Sequence, residues 1–148
     1  MQQSPLTDQE IDTIANLLKK LEPGPLPFAI FHQIARIIAL PIIEMVPVRR
    51  NNGKTEVLLL TREGDDPVWP NALHVPGTVL RGNDQPGGFD DAFERLSKEM
   101  QGAPTGAPVH VVNILNRSNR GVEASAVYWI ECFGDVPGGT FYPADELP

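Results

Sequence analysis

The stretch "HVPGTVLRGND", residues 74 to 84, decides how this chain is read. Its Pro76-Gly77 turn follows an apolar stretch with Trp69 nearby, and the carboxylate-rich segment "GGFDDAFERLSKEMQG" comes soon after. A glycine turn running into an acidic helix resembles the start of a phosphate-and-metal site. The question is whether the chemistry of such a site is present.

Outward from this loop the texture is that of strands. "IIEMVPVRR" and "TEVLLLTRE" flank Asn51-Asn52-Gly53-Lys54, the signal of a tight hairpin. Pro47 inside the first arm implies an edge position or a bulge. "VHVVNILNR" and "EASAVYWIECF" form a second strand pair around the turn "RSNRG". Between the pairs, Phe89, Ala92, Phe93, Leu96 and Met100 recur at helical spacing. Strands, one helix, then strands predict an α+β (α/β layered) domain: a mixed β-sheet with a packed helix.

Two helices precede this domain. Thr7-Asp8-Gln9-Glu10 fits a capping box, and Ile11, Ile14, Leu18 and Leu21 give the first helix one apolar stripe. Pro23-Gly24-Pro25 ends it, and a second helix starts at Pro27 with Phe31, Ile34 and Ile38 on one face. His32 within it reads as structural. The division is therefore an N-terminal helical extension, residues 1–40, and a domain, residues 41–148. The extension either packs on the domain or pairs with a second copy, and a homodimer through these helices is the expectation.

Composition narrows the functional classes. Apolar residues make up 41% and charged residues 21% of the 148, an ordinary globular balance. No apolar run approaches the roughly 20 residues that cross a bilayer. The opening "MQQSPLTDQE" lacks a secretory pattern, which makes the cytoplasm the default location. Cys132 is the only cysteine, so an internal disulfide and a cysteine-based zinc cluster are excluded, and it reads as a buried small hydrophobe. A net charge of −7 argues against nucleic acid and anionic membrane as partners. A small anionic ligand fits only where basic groups or backbone amides gather.

The order of these pieces resembles the Nudix hydrolase family: a hairpin, a "W…PG" loop, an acidic helix, more strands, then an acidic-leucine-proline tail. "WPNALHVPGT" looks like the family's "PGG" loop and "FYPADELP" is similar to its closing stretch, so the resemblance covers residues 41 to 148. It implies a Nudix-like mixed sheet and hydrolysis of a nucleoside diphosphate linked to another moiety. The cofactor implied is Mg²⁺ or Mn²⁺, held by glutamates of the box G-x5-E-x7-R-E-U-x-E-E-x-G-U, where U is apolar. Such hard cations prefer carboxylate oxygens and water.

Against that box the helix departs sharply. "ERLSKE" stands where the box has "RELxEE": Glu94 takes the arginine position, Arg95 and Lys98 replace metal-binding glutamates, and Glu99 remains. Gly77 matches the opening glycine, Thr78 replaces the second, and Asn83 with neighbouring Asp84 stands for the loop glutamate. Gly102 matches the closing glycine only with a slip of one residue. On a helix, Asp90, Glu94 and Lys98 form one row and Asp91, Arg95 and Glu99 the next.

Two readings of this face follow. One is a solvated, self-neutralised surface, with Arg95 between Asp91 and Glu99. The other is a metal site of Glu99 and Asp84, with Glu94 and with Asp90 or Asp91, and with Glu99 and Glu94 as catalytic candidates. Around it, Gly77, Arg81, His74 and Trp69 are the ligand-binding candidates, each with a structural alternative: core packing for Trp69, a loop hydrogen bond for His74, solvation for Arg81. The ligand class is a small phosphorylated or nucleotide molecule. Enzyme and non-enzyme readings both stand at this point: an impaired pyrophosphohydrolase, a silent ligand-binding module, or an assembly module.

Overall fold

The hairpin is set by its own backbone. Asn52 and Gly53 both take positive φ, 48° and 79°, the geometry of a two-residue turn whose twist matches the strands it joins. The computed structural model describes residues 5–148; the first four, which belong to the stretch read as lacking a secretory signal, lie outside the described residues. In chain order the elements are α1 (Asp8–Leu18), α2 (Phe28–Ile37), β1 (Leu40–Asn51), β2 (Lys54–Thr61), β3 (Leu73–His74), β4 (Gly77–Val79), α3 (Asp90–Glu99), β5 (Pro104–Arg117), β6 (Val122–Cys132) and β7 (Gly139–Pro143).

These strands form one mixed sheet in the order β3-β2-β1-β6-β5, with β4 added to β1 and β7 to β2. β1 runs parallel to β6, from Leu40 opposite Glu123 to Val48 opposite Glu131, and the other pairs are antiparallel. The chain is thus an α+β fold in which two helices precede a mixed sheet with a helix packed on it.

Pro47 sits neither at an edge nor on a bulge. It lies in central β1, at the interval where the neighbour on one side changes from β4, opposite Ile42–Glu44, to β2, opposite Val48–Asn51. A residue without an N–H loses no ladder bond there.

The core lies between the sheet and α3. Ala92, Leu96 and Met100 are fully buried against Ile43, Met45, Leu58, Ile130 and Cys132, with Phe89 and Phe93 half-buried beside them. Asp90 and Asp91 in the first turn complement the α3 dipole. The helix ends in a Schellman turn: Gly102 N–H donates to Ser97 O at 2.8 Å and Gln101 N–H to Lys98 O at 3.0 Å. Gln101, not a glycine, therefore takes the left-handed position, with φ 54°.

Strand alternation puts Leu40, Ile42 and Glu44 of β1, with Glu123 and Ser125 of β6, on the opposite face. α2 covers one end of that face, where Ala35 and Phe31 pack on Leu40, Ile42 and Val79. Gly121 is required for this docking, because a Cβ there would lie 2.1 Å from Ala35 O. The capping box of α1 forms as read, yet α1 has no buried residue. Ile11, Ile14, Leu17 and Leu18 remain open. At the far edge β5 exposes Val111 and Leu115, 56% and 72% accessible.

Candidate functional site

The loop between β2 and β4 is built around two side chains. Asp66 accepts from Val68 N–H at 2.9 Å and Trp69 N–H at 2.7 Å, which tightens the chain into a turn and keeps its carboxyl below the usual range. Arg62 donates to Asp66 at 3.1 Å and lies over the Trp69 ring. His74 Nδ1–H donates to Val75 O at 2.7 Å. Burial lowers the His74 pKa, so its neutral ring presents Nε2 as an acceptor. The loop-supporting role is the one this geometry displays.

Gly77 pairs with Glu44 across β4 and β1, and a Cβ on Gly77 would stand only 3.7 Å from Glu44 Oε2. Below it lies a cavity of about 290 Å³ whose wall includes Glu44, Trp69, His74, Arg62, Arg120 and Glu123. Arg120, on the β5–β6 turn, donates to Glu123 at 2.8 and 3.0 Å and lies over Trp69 and Phe31. Ser118 Oγ also donates to Glu123, at 2.7 Å.

Glu44 differs from Glu123. Desolvation raises its pKa, the Glu123 charge adds to that, and Arg120 and Arg62 oppose it. Ser125, 5% exposed, lies beside it; its Oγ reaches no hydrogen-bond geometry, although its dipole still favours the charged carboxylate.

Glu99 joins the neighbouring cavity, of about 640 Å³, together with Arg62, His74 and Gly77. Much of the residue meets solvent, yet desolvation at its carboxyl end raises its pKa against the pull of Arg62. The other box carboxylates are engaged elsewhere. Arg95 grips Asp84 through both oxygens, with Nη2 at 2.9 Å, and also donates to Thr78 Oγ1 and Val79 O. Asp84 is held below its ordinary pKa by that guanidinium. Glu94 pairs with Lys98 at 2.6 Å in solvent, and Asp91 accepts from Gln85 N–H at 2.7 Å. Arg95 therefore turns to the loop rather than to Asp91 and Glu99.

Among the described residues no three His, Cys, Asp or Glu side chains converge on a point where one ion would sit. A divalent cation needs six or more oxygens, and the box carboxylates present do not fit it. Arg81 lines a separate apolar groove with Phe31, Ile34, Leu40 and Gly77. The structure thus groups Glu99, His74 and Gly77, adds Trp69 through the adjoining cavity, and leaves Glu94 and Asp84 apart. Glu44, Arg62, Glu123 and Ser125 were not among the sequence candidates. For Glu44, Glu123 and Ser125 the signal was a polar residue alternating into an apolar strand, as in "IIEMV" and "VEASAV".

Comparison with solved structures defines the architecture. The Nudix domain of Shewanella oneidensis NrtR, complexed with ADP ribose, matches at 14% identity over 95% of this chain and 85% of that one, with a TM-score of 0.57. C. elegans Ap4A hydrolase matches at 14% identity over 73% of this chain and 83% of its own, TM-score 0.54. NrtR complexed with a 27mer DNA matches at 13% over 69%, TM-score 0.55, and the chain spans 50% of that protein's length. By sequence the chain matches no family profile and no curated protein. At these identities it is the fold that is shared: the chain has a Nudix-like fold.

Proposed function

We propose that the chain is a Nudix-fold module that binds a small phosphorylated nucleotide, a nucleoside diphosphate linked to another moiety, with metal-dependent hydrolysis weak or lost. The observation that carries this reading is the bidentate hold of Arg95 on Asp84, which puts a permanent cation among the carboxylates that would share a metal. The ADP ribose seen in the NrtR domain supports the ligand class. Gly77, His74 and Trp69 shape the cavity, and Arg81, on the neighbouring groove that Gly77 also lines, is the cation assigned to a phosphate that extends past Gly77. The acidic balance of the chain favours a small molecule over DNA as ligand.

A thermal-shift screen of nucleotides with and without Mg²⁺ and Mn²⁺, followed by turnover assays on every hit, tests this. Stabilisation by ADP-ribose-like ligands that is independent of metal, with little or no turnover, is expected. Efficient Mg²⁺-dependent turnover abolished by Glu99→Gln would sink it.

A dimer through the N-terminal helices is the accompanying proposal, favoured by α1, whose Ile11, Ile14, Leu17 and Leu18 are 43–56% exposed. Light scattering should give a dimer that becomes monomeric when Ile14 and Leu18 are changed to Ser; a monomer for the unmodified chain removes the proposal.

A further inference from the structure

Two apolar surfaces of this chain lie open. One is the stripe of α1, which buries no residue and leaves Ile11, Ile14, Leu17 and Leu18 exposed. The other is a strip of the sheet. Strand pairing puts Val46, Trp129 and Val109 in one row across β1, β6 and β5, and Val127 with Val112 in the next, with Ile114 beyond them. All lie on the face that α2 covers only at its Leu40 end. Trp129, Val109, Val112 and Ile114 are 37–45% exposed. We propose that this strip receives α1 of a second copy of the chain, in a reciprocal exchange that seats each α1 on the other copy's sheet. The inference rests on the dimer reading above and names the surface that the helix meets.

Length, charge and area agree with that occupant. The stripe from Ile11 to Leu18 occupies about 10 Å of helix. The strip, from the Ser125 row to the Trp129 row, occupies about 13 Å of strand. Charge sets the direction. α1 carries Asp8, Glu10 and Asp12 in its first half, and Lys19 and Lys20 follow its end. The strip has exposed Arg117 beyond Ile114 and exposed Glu131 beyond Trp129. The helix N-terminus therefore meets the Arg117 end, and its C-terminus the Glu131 end. Two α1 stripes packed only on each other would cover roughly 700 Å² of apolar surface, short of the roughly 1,000 Å² that a specific interface needs. Seating both helices on both strips covers roughly 1,300 Å², within the standard range. In its own chain the linker after α1 is held on the other side of β1 from β5: Pro23 packs on Gly82, beyond β4, where a Cβ would lie 3.4 Å from Pro23 Cβ. Each copy gives a helix and receives one, so the assembly closes at two.

Disulfide cross-linking between two separately made full-length variants tests this. Leu18→Cys and Val109→Cys chains, one carrying a tag that sets it apart on a gel, are mixed, equilibrated and oxidised. Cys132 is buried and stays in place. A covalent pair with one chain of each kind is expected, and a chain carrying both substitutions should give covalent dimers rather than an internal link. Val112→Glu leaves α1 untouched and buries a charge only in the dimer. It should weaken the dimer by roughly tenfold or more in sedimentation while melting near the parent. Trp129 emission should shift to the blue as the parent chain is concentrated. Leu18→Cys chains that link only to each other overturn this inference and leave the dimer through α1 standing. A dimer unchanged by Val112→Glu has the same effect. An internal link in the double variant, or a parent chain that stays monomeric, removes both.

Discussion

Arg95 leaves the carboxylates of its own helix row and closes instead on both oxygens of Asp84, eleven positions back in the loop. It thereby joins α3 to the segment after β4 through Asp84, Thr78 and Val79. Both partners are mostly covered, with side chains 21% and 13% exposed. Arg95→Met should lower stability by about 1.5–3 kcal/mol, as loss of charge-assisted bonds from a covered carboxylate does. Denaturant titration measures it.

The same pair fixes a pH dependence. Asp84 is depressed by Arg95, so its contribution is complete above the ordinary carboxylate range and is lost as pH falls through the lower folded value. Thermal melts of Arg95→Met should show a correspondingly shallower loss of stability on acidification than the parent.

Arg95→Glu with Lys98→Glu should raise Mn²⁺ affinity measurably, because it releases Asp84 and places new carboxylates on the face that carries Glu99. Calorimetric titration against the parent is the measurement, and the gain should come with lower thermal stability, since the loop loses its tie to α3.

Gln101→Gly should stabilise the chain by about 0.5–1 kcal/mol, since a non-glycine residue occupies the left-handed position of the α3 cap. An unchanged or lower midpoint in urea would contradict the capping geometry described.

Leu96→Ala should cost about 2–5 kcal/mol, because its side chain is fully buried against the sheet. Phe93→Ala, at a half-buried position, should cost less.

Glu44→Gln should raise the melting temperature near neutral pH. A carboxyl whose folded pKa is raised has its stability complete at low pH and loses it as pH rises through the folded value. The advantage of the amide should therefore fade on acidification.

The sequence was most legible where local chemistry decides the outcome. The Asn52-Gly53 turn, the Thr7–Glu10 box and the Phe89-to-Met100 stripe each carry a short-range signal, and each is present in the fold. Pro47 was misread because its tolerance depends on which strand lies alongside at that point, a relation across the sheet. Arg95 was misread for a similar reason: the helix row offers neighbours at four residues, but the loop brings a better-oriented carboxylate. The cavity around Glu44 and Arg120 joins β1, β6 and a turn far apart in the chain. Spacing cannot disclose such a set, although Glu44 and Glu123 were visible as polar residues within apolar strands.

The two tryptophans occupy opposite optical environments. Trp69 lies in the cavity wall with two guanidiniums over its ring, whereas Trp129 is 37% exposed on β6. A cation held against an indole perturbs its excited-state dipole, so whatever moves Arg62 or Arg120 changes the emission of Trp69. Replacing Trp129 by phenylalanine would leave a single fluorophore at the cavity, and the chain would then report its own occupancy as light.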